Sequence, residues 1–164
     1  MPTAITPLPL DGLFLLEPQV FEDSRGFFME TYRASELSER GLNADFVQDN
    51  HSYSRKGVLR GLHFQREPHA QVKLIRVIAG AAWDVAVDIR TGSPSFGRWY
   101  GLELSAANRR ILYIPKGFAH GFLAIADGTE PHPSLAEGLH LQRVLEAMRE
   151  SAERREWVAL PQKK

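Results

Sequence analysis

From Leu13 to Ala126 the chain consists of short runs in which apolar and polar residues alternate, separated by Gly, Pro, Asn and Asp turns. A period of two marks strands with one buried face. Residues 13–16 read as a strand after a Pro-rich start. F-E-D-S-R-G-F-F-M-E-T-Y places a turn at 23–26 between apolar runs, with Arg25 at its tip and Glu30 on the strand beyond. Residues 34–40 read as a short helix ended by Gly41. F-V-Q-D-N-H-S-Y-S reads as a polar strand with Gln48, Asn50 and Ser52 on one face. In V-L-R-G-L-H-F-Q, Arg60 and His63 have opposite parity, and a bulge at Gly61 would bring both to one side. Further strands are expected at Q-V-K-L-I-R-V-I-A-G, A-A-W-D-V-A-V-D-I-R, W-Y-G-L-E-L-S, R-I-L-Y-I-P and K-G-F-A-H-G-F-L-A-I-A. So many short strands, with little helix before Asp127, predict an all-β sandwich or barrel.

After Gly128 the period changes. S-L-A-E at 134–137 matches a capping box, and Leu141, Val144, Leu145, Met148 and Ala152 recur at helical spacing. An amphipathic helix is expected near 135–156. Its balanced charges suit packing on the β domain or a partner rather than a membrane. The expected organisation is one domain, with its β part at 1–128 and an atypical helical tail at 129–164.

Composition narrows the function. The formal net charge is +0, so no bulk field favours nucleic acid or membrane, and any anionic ligand must be held by local cations. The chain has no cysteine, which excludes disulfides, thiolate metal sites and cysteine nucleophiles. No signal-peptide pattern opens the sequence, and no apolar run approaches the roughly 18 residues of a membrane span. A cytoplasmic protein is expected. The densest chemistry lies at 58–73, which carries Arg60, His63, Gln65, His69 and Lys73.

Pro115, Gly117 and His120 form P-x-G-x-x-H, which resembles the second motif of the cupin superfamily and implies its double-stranded β-helix jelly roll. Metal-binding cupins usually carry H-x-H in the first motif. Here that segment reads His63-Phe64-Gln65, so no metal is expected. A histidine that is not a ligand, placed among Arg and Lys, is a candidate base because its ordinary pKa of about 6.5 suits proton abstraction.

The resemblance extends to a family. D-S-R-G-F-F-M-E-T-Y, F-V-Q-D-N-H-S-Y-S, G-V-L-R-G-L-H-F-Q, Q-V-K-L-I-R-V, W-D-V-A-V-D-I-R and I-P-K-G-F-A-H-G-F, in that order over about residues 5–127, resemble the dTDP-4-dehydrorhamnose 3,5-epimerases. The resemblance implies a cofactor-free, metal-free enzyme acting on a dTDP-4-keto-6-deoxyhexose, usually as a homodimer. The protons at C3 and C5 flank a ketone, so removing either gives an enolate. That needs a base, a cation on the oxygen and an acid on the opposite face. By resemblance, His63 is the base and Lys73 the oxyanion stabiliser. Arg25 and Arg60 are ligands of the pyrophosphate and its neighbourhood. Glu30, Gln48, Asp49, Asn50 and His120 match substrate-binding positions.

The resemblance breaks in the tail. The family's acid is a tyrosine well after the H-G-F motif, yet no tyrosine follows Tyr113 and no aspartate follows Asp127. Three accounts stay open: a natural tail with a replacement acid, a frameshift, or a protein that binds the nucleotide sugar without epimerising it. A 3-only epimerase or a ketoisomerase of the same sugars is a further alternative.

Overall fold

The computed structural model describes residues 3–126. In chain order the elements are β1 (Ala4–Pro7), β2 (Phe14–Glu17), β3 (Val20–Asp23), β4 (Gly26–Met29), α1 (Ala34–Glu39), β5 (Leu59–His63), β6 (Lys73–Arg76), β7 (Ala81–Asp88), β8 (Trp99–Ser105), β9 (Ile111–Ile114) and β10 (Phe118–Ala126). Two four-stranded antiparallel sheets form, ordered β1-β2-β9-β6 and β5-β10-β7-β8. β3 and β4 make a separate two-stranded hairpin. The protein is an all-β jelly roll, as the strand pattern predicts.

The core lies between the two sheets. Leu112, Ile114 and Ile75 from the first sheet meet Ala86, Leu102, Leu104 and Phe118 from the second, with Leu10 and Leu13 filling one end. In β6 and β9, Lys73 pairs with Ile114 and Ile75 with Leu112, so Lys73 shares the inward face with core residues. The first sheet also buries its outer face, where Leu16, Ile111 and Tyr113 pack with Leu37 of α1 and with Leu42. On the second sheet the outer face carries Ala81, Val85, Leu123 and Ile125, packed with Trp83. β7 is therefore enclosed on both sides, and Asp84 and Asp88, on the parity opposite to its aliphatics, are as buried as the valines.

Two expectations need correction. A strand, β1, forms within the Pro-rich start; it is the outermost strand of its sheet, where Pro7 does not interrupt a central ladder. Residues 46–54, read as a polar strand, form none. Their polar groups are satisfied outside a ladder: Gln48 Nε2 donates to Asn50 Oδ1, while Arg60 donates to Ser54 Oγ and the Tyr53 carbonyl. The short helix expected at 34–40 forms as α1, and Gly41 after it has φ +75°, the left-handed value that ends a helix. The capping box, the helix expected near 135–156 and the 129–164 tail lie outside the described residues. No described helix is long and apolar enough to cross a membrane.

Candidate active site

The site begins with a local irregularity. On β10, His120 and Phe122 are two residues apart and share a face; their partners on β5, His63 and Arg60, are three apart. The extra residue is absorbed at Gly61–Leu62, so Arg60 and His63 end on one side of the sheet, as the bulge reading anticipates. Gly61 is the residue that permits it. Its φ is +116°, and a Cβ there would lie 2.6 Å from Gly121 Cα and 2.8 Å from the His120 carbonyl oxygen. Gly121 answers with the same constraint, because a Cβ on it would lie 2.9 Å from the Arg60 carbonyl oxygen. Two glycines facing each other let β5 and β10 approach closely enough to bring His63 against His120.

The two imidazoles meet edge to face with centroids 5.4 Å apart. His120 is 3% exposed, and its Nε2 lies 2.9 and 3.0 Å from the two oxygens of Asp84, itself 1% exposed. A carboxylate only accepts, so the Nε2 proton points at Asp84. Nδ1 of His120 is buried and without a protein partner. The same face of β7 and β10 thus carries Asp84, His120 and Phe122.

Lys73 faces this group from β6. Its Nζ donates to Gln65 Oε1 at 3.2 Å. Gln65, which stands where a metal-binding cupin has its second histidine, therefore orients an ammonium group. Among the described residues no three His, Asp or Glu side chains are placed to hold one metal ion.

Electrostatics set the protonation states. Burial lowers the His63 pKa from its ordinary value; the neighbouring His120 and Lys73 push it further the same way, and Asp84 opposes them. Burial also lowers the Lys73 pKa. A neutral imidazole beside a cation that is easier than usual to deprotonate is a pairing suited to proton abstraction.

The mouth is a cavity of about 320 Å³. One wall is the inner face of the second sheet, with Asp84, His120 and Phe122. The other is β6 and its extension, including Arg76. The segment with Asp49, Asn50, His51, Ser52, Tyr53 and Ser54 closes it. Arg60 ties that segment to β5, its Nε 2.9 Å from Ser54 Oγ and its Nη2 3.1 Å from the Tyr53 carbonyl oxygen.

Of the residues singled out from sequence, His120, Asp49 and Asn50 line the cavity. His63 adjoins it through its ring contact with His120, Arg60 through its bonds to Ser54 and Tyr53, and Lys73 is near enough to His63 to lower its pKa. Gln48 lines an adjoining groove with Tyr32 and Phe46 and reaches the cavity wall through its bond to Asn50. Arg25 and Glu30 belong to the hairpin instead. Arg25, its side chain 88% exposed, is paired with Asp23 at 2.6 Å, and Glu30 with Arg33 at 2.7 Å. Asp84 was not singled out. The available signal was a pair of carboxylates, Asp84 and Asp88, inside an otherwise apolar strand.

The second aspartate of that pair has a different task. Asp88 is fully buried and accepts from Arg90 Nε and Nη2, Ser93 Oγ and Ser95 Oγ. Burial alone would raise its pKa, but these donors hold it well below the ordinary carboxylate value. Arg90, fixed this way, lies 4.8 Å over the Phe118 ring and crosses Gly117, where a Cβ would strike its Cγ at 2.4 Å. The turn of the P-x-G-x-x-H motif is thus locked, and His120 follows from it.

Comparison with known proteins points the same way. Residues 7–147 match the family model described as dTDP-4-dehydrorhamnose 3,5-epimerase. The chain is 56% identical over 122 residues to the enzyme of that name from Shigella flexneri, covering 74% of this chain and 67% of the relative. It is 57% identical over 118 residues to that from Methanothermobacter thermautotrophicus, covering 72% and 63%. Among solved structures it resembles the dTDP-6-deoxy-D-glucose-3,5-epimerase of Legionella pneumophila in complex with dTDP-4-keto-L-rhamnose. That likeness has a TM-score of 0.73 and 50% identity, over 76% of this chain and 66% of that one. The chain spans about two thirds of the length of these relatives.

Proposed function

Because the chain belongs to the dTDP-4-dehydrorhamnose 3,5-epimerase family, we propose that it epimerises a dTDP-4-keto-6-deoxyhexose at C3 and C5 through an enolate, without a cofactor or metal. The observation that carries this reading is His63, whose neutral form is favoured by burial and by the nearby Lys73, set edge to face against His120 in the wall of the cavity.

In this mechanism an imidazole nitrogen of His63 takes the C3 proton. The C3–H electron pair becomes the C3–C4 π bond, and the ketone π pair moves to its oxygen. The Lys73 ammonium holds that oxygen, which is worth most in a site closed to water. Reprotonation from the opposite face inverts the centre, His63 gives its proton to solvent, and the cycle repeats at C5. Arg60 and Arg25 serve the diphosphate with planar guanidinium forks. His120, oriented by Asp84, contacts the sugar together with Gln48, Asp49, Asn50 and Glu30.

The protein acts in the cytoplasm as a homodimer, with neither nucleic acid nor membrane as partner. The exposed rings of Phe27 and Phe28 on the β3–β4 hairpin offer apolar area for a second copy.

One observation favours a second reading. No tyrosine follows Tyr113, whereas the family resemblance places the reprotonating acid on a tyrosine well after the H-G-F motif. Losing a general acid costs roughly 10²–10⁴-fold. A nucleotide-sugar-binding protein with weak or no turnover is the consequence if nothing replaces it.

Incubation with dTDP-4-keto-6-deoxyglucose in D₂O, followed by NMR, separates the readings. Deuterium at C3 and C5 supports the 3,5-epimerase, and deuterium at C3 alone supports a 3-epimerase or ketoisomerase. Binding without exchange supports the binding protein. Neither binding nor exchange refutes all of them.

A further inference from the structure

The β3–β4 hairpin pairs with neither main sheet, so something other than a ladder must set its angle. One side chain from the turn between β8 and β9 is placed to do so. Arg109 Nη1 lies 2.8 Å from Glu22 Oε1, and the same guanidinium sits 4.2 Å from the centroid of the Phe27 ring. Glu22 and Phe27 are directly opposite each other in the hairpin register. A single planar group therefore holds both strands at one rung. The next rung, Asp23 opposite Gly26, closes the turn that carries Arg25.

The base of this clamp is itself rigid. Arg109 has φ +56°, the one non-glycine positive φ among the described residues, and its N–H donates to the Ser105 carbonyl oxygen at 2.9 Å. Asn108 beside it accepts from the Ser105 and Arg110 amides and donates to the Glu103 carbonyl oxygen. The Arg109 side chain is only 25% exposed although it ends on a surface hairpin.

We propose that Arg109 is a positioning residue that fixes the pose of the hairpin and, through it, the strength with which Arg25 engages the substrate's diphosphate. This rests on the reading above that Arg25 is a diphosphate ligand. Arg109 touches no substrate. Its effect falls on binding, because a hairpin free to swing lowers the fraction of molecules with Arg25 in place.

The test is calorimetric titration of the full chain with dTDP, using the wild type, Arg25→Ala, Arg109→Ala, Arg109→Lys, Glu22→Gln and the double variant Arg25→Ala/Arg109→Ala. Losing an ion pair and a cation–π contact predicts a Kd for dTDP raised roughly 3- to 30-fold in Arg109→Ala. Glu22→Gln gives part of that rise without touching the turn. Arg109→Lys, which keeps the charge, recovers most of the affinity, and Arg109→Ala adds nothing once Arg25 is removed. If Arg25→Ala weakens binding but Arg109→Ala and Glu22→Gln do not, the positioning role is overturned and the assignment of Arg25 stands. It is equally overturned if Arg109→Ala adds its full effect in the Arg25→Ala background. If Arg25→Ala leaves the affinity unchanged, the diphosphate assignment falls and the inference falls with it.

Discussion

The imidazole of His120 lies 2.9 Å from the carboxylate of Asp84, and both side chains are almost completely shielded from water. Asp84 thereby holds the orientation of the His120 ring. Asparagine at this position can present an N–H to Nε2 and reverse the tautomer. A hydrogen bond involving a charged group is worth about 1.5–3 kcal/mol, so Asp84→Asn is expected to lower kcat/KM roughly 10- to 150-fold. Steady-state kinetics on the 4-keto sugar, with circular dichroism to confirm the fold, checks this. An unchanged kcat/KM contradicts a role for the pair.

The contact of β5 with β10 depends on Gly61. Alanine there needs a Cβ 2.6 Å from Gly121 Cα at φ +116°. Strain and overpacking of about 1–3 kcal/mol each predict a loss of about 2–6 kcal/mol, read as a drop in denaturation midpoint. Gly57 has φ +83° but nothing within 4 Å of its would-be Cβ, so Gly57→Ala carries only the backbone strain. Equal losses at the two positions contradict the close-approach account.

Much of this architecture is legible in the alternation of residues, and the exceptions are physical. The strands from β5 to β10 fall on runs that read as strands, and the bulge follows from the parity clash between Arg60 and His63 with glycine between them. The segment 46–54 fails because its polar alternation is satisfied by Arg60 and by side-chain pairing, not by a ladder. Asp84 is easily passed over because alternation assigns its face of β7 to solvent, and only the pair it makes with Asp88 in an apolar strand hints at burial. Burial of a carboxylate there is decided by a histidine 36 positions away. The likeness to a known family supplied the roles of His63 and Lys73, which spacing alone does not assign.

The pH dependence of turnover follows from two lowered pKa values. The base must be neutral: because burial and nearby positive charge lower the His63 pKa, activity is expected to persist as pH falls through 6.5 and to decline only below it. The oxyanion partner must be charged: because burial lowers the Lys73 pKa, activity is expected to fall with rising pH before 10.5 is reached. The kcat/KM profile reports both limbs for the free enzyme. An acid limb centred above 6.5 contradicts the assignment of His63.

Asp88 is predicted to matter for stability and not for chemistry. Its folded-state pKa is held below the ordinary 3.8, so its contribution is full above that value and is lost as pH falls toward the lower folded value. Asp88→Asn leaves the Arg90 guanidinium without its counter-charge and is expected to cost about 3–5 kcal/mol near neutral pH. The penalty should shrink on acidification through pH 3.8 and below. Denaturation at pH 7 and at pH 3 measures the difference, and a penalty independent of pH contradicts the ion-pair account.

The central claim is that His63 removes a proton next to the C4 ketone. Its most direct test is the rate of deuterium incorporation at C3 of dTDP-4-keto-6-deoxyglucose in D₂O, for the wild type and for His63→Asn. The account predicts exchange catalysed by the wild type and reduced at least about 10²-fold by the substitution, with dTDP binding retained. Exchange that continues undiminished in His63→Asn would show that another group is the base.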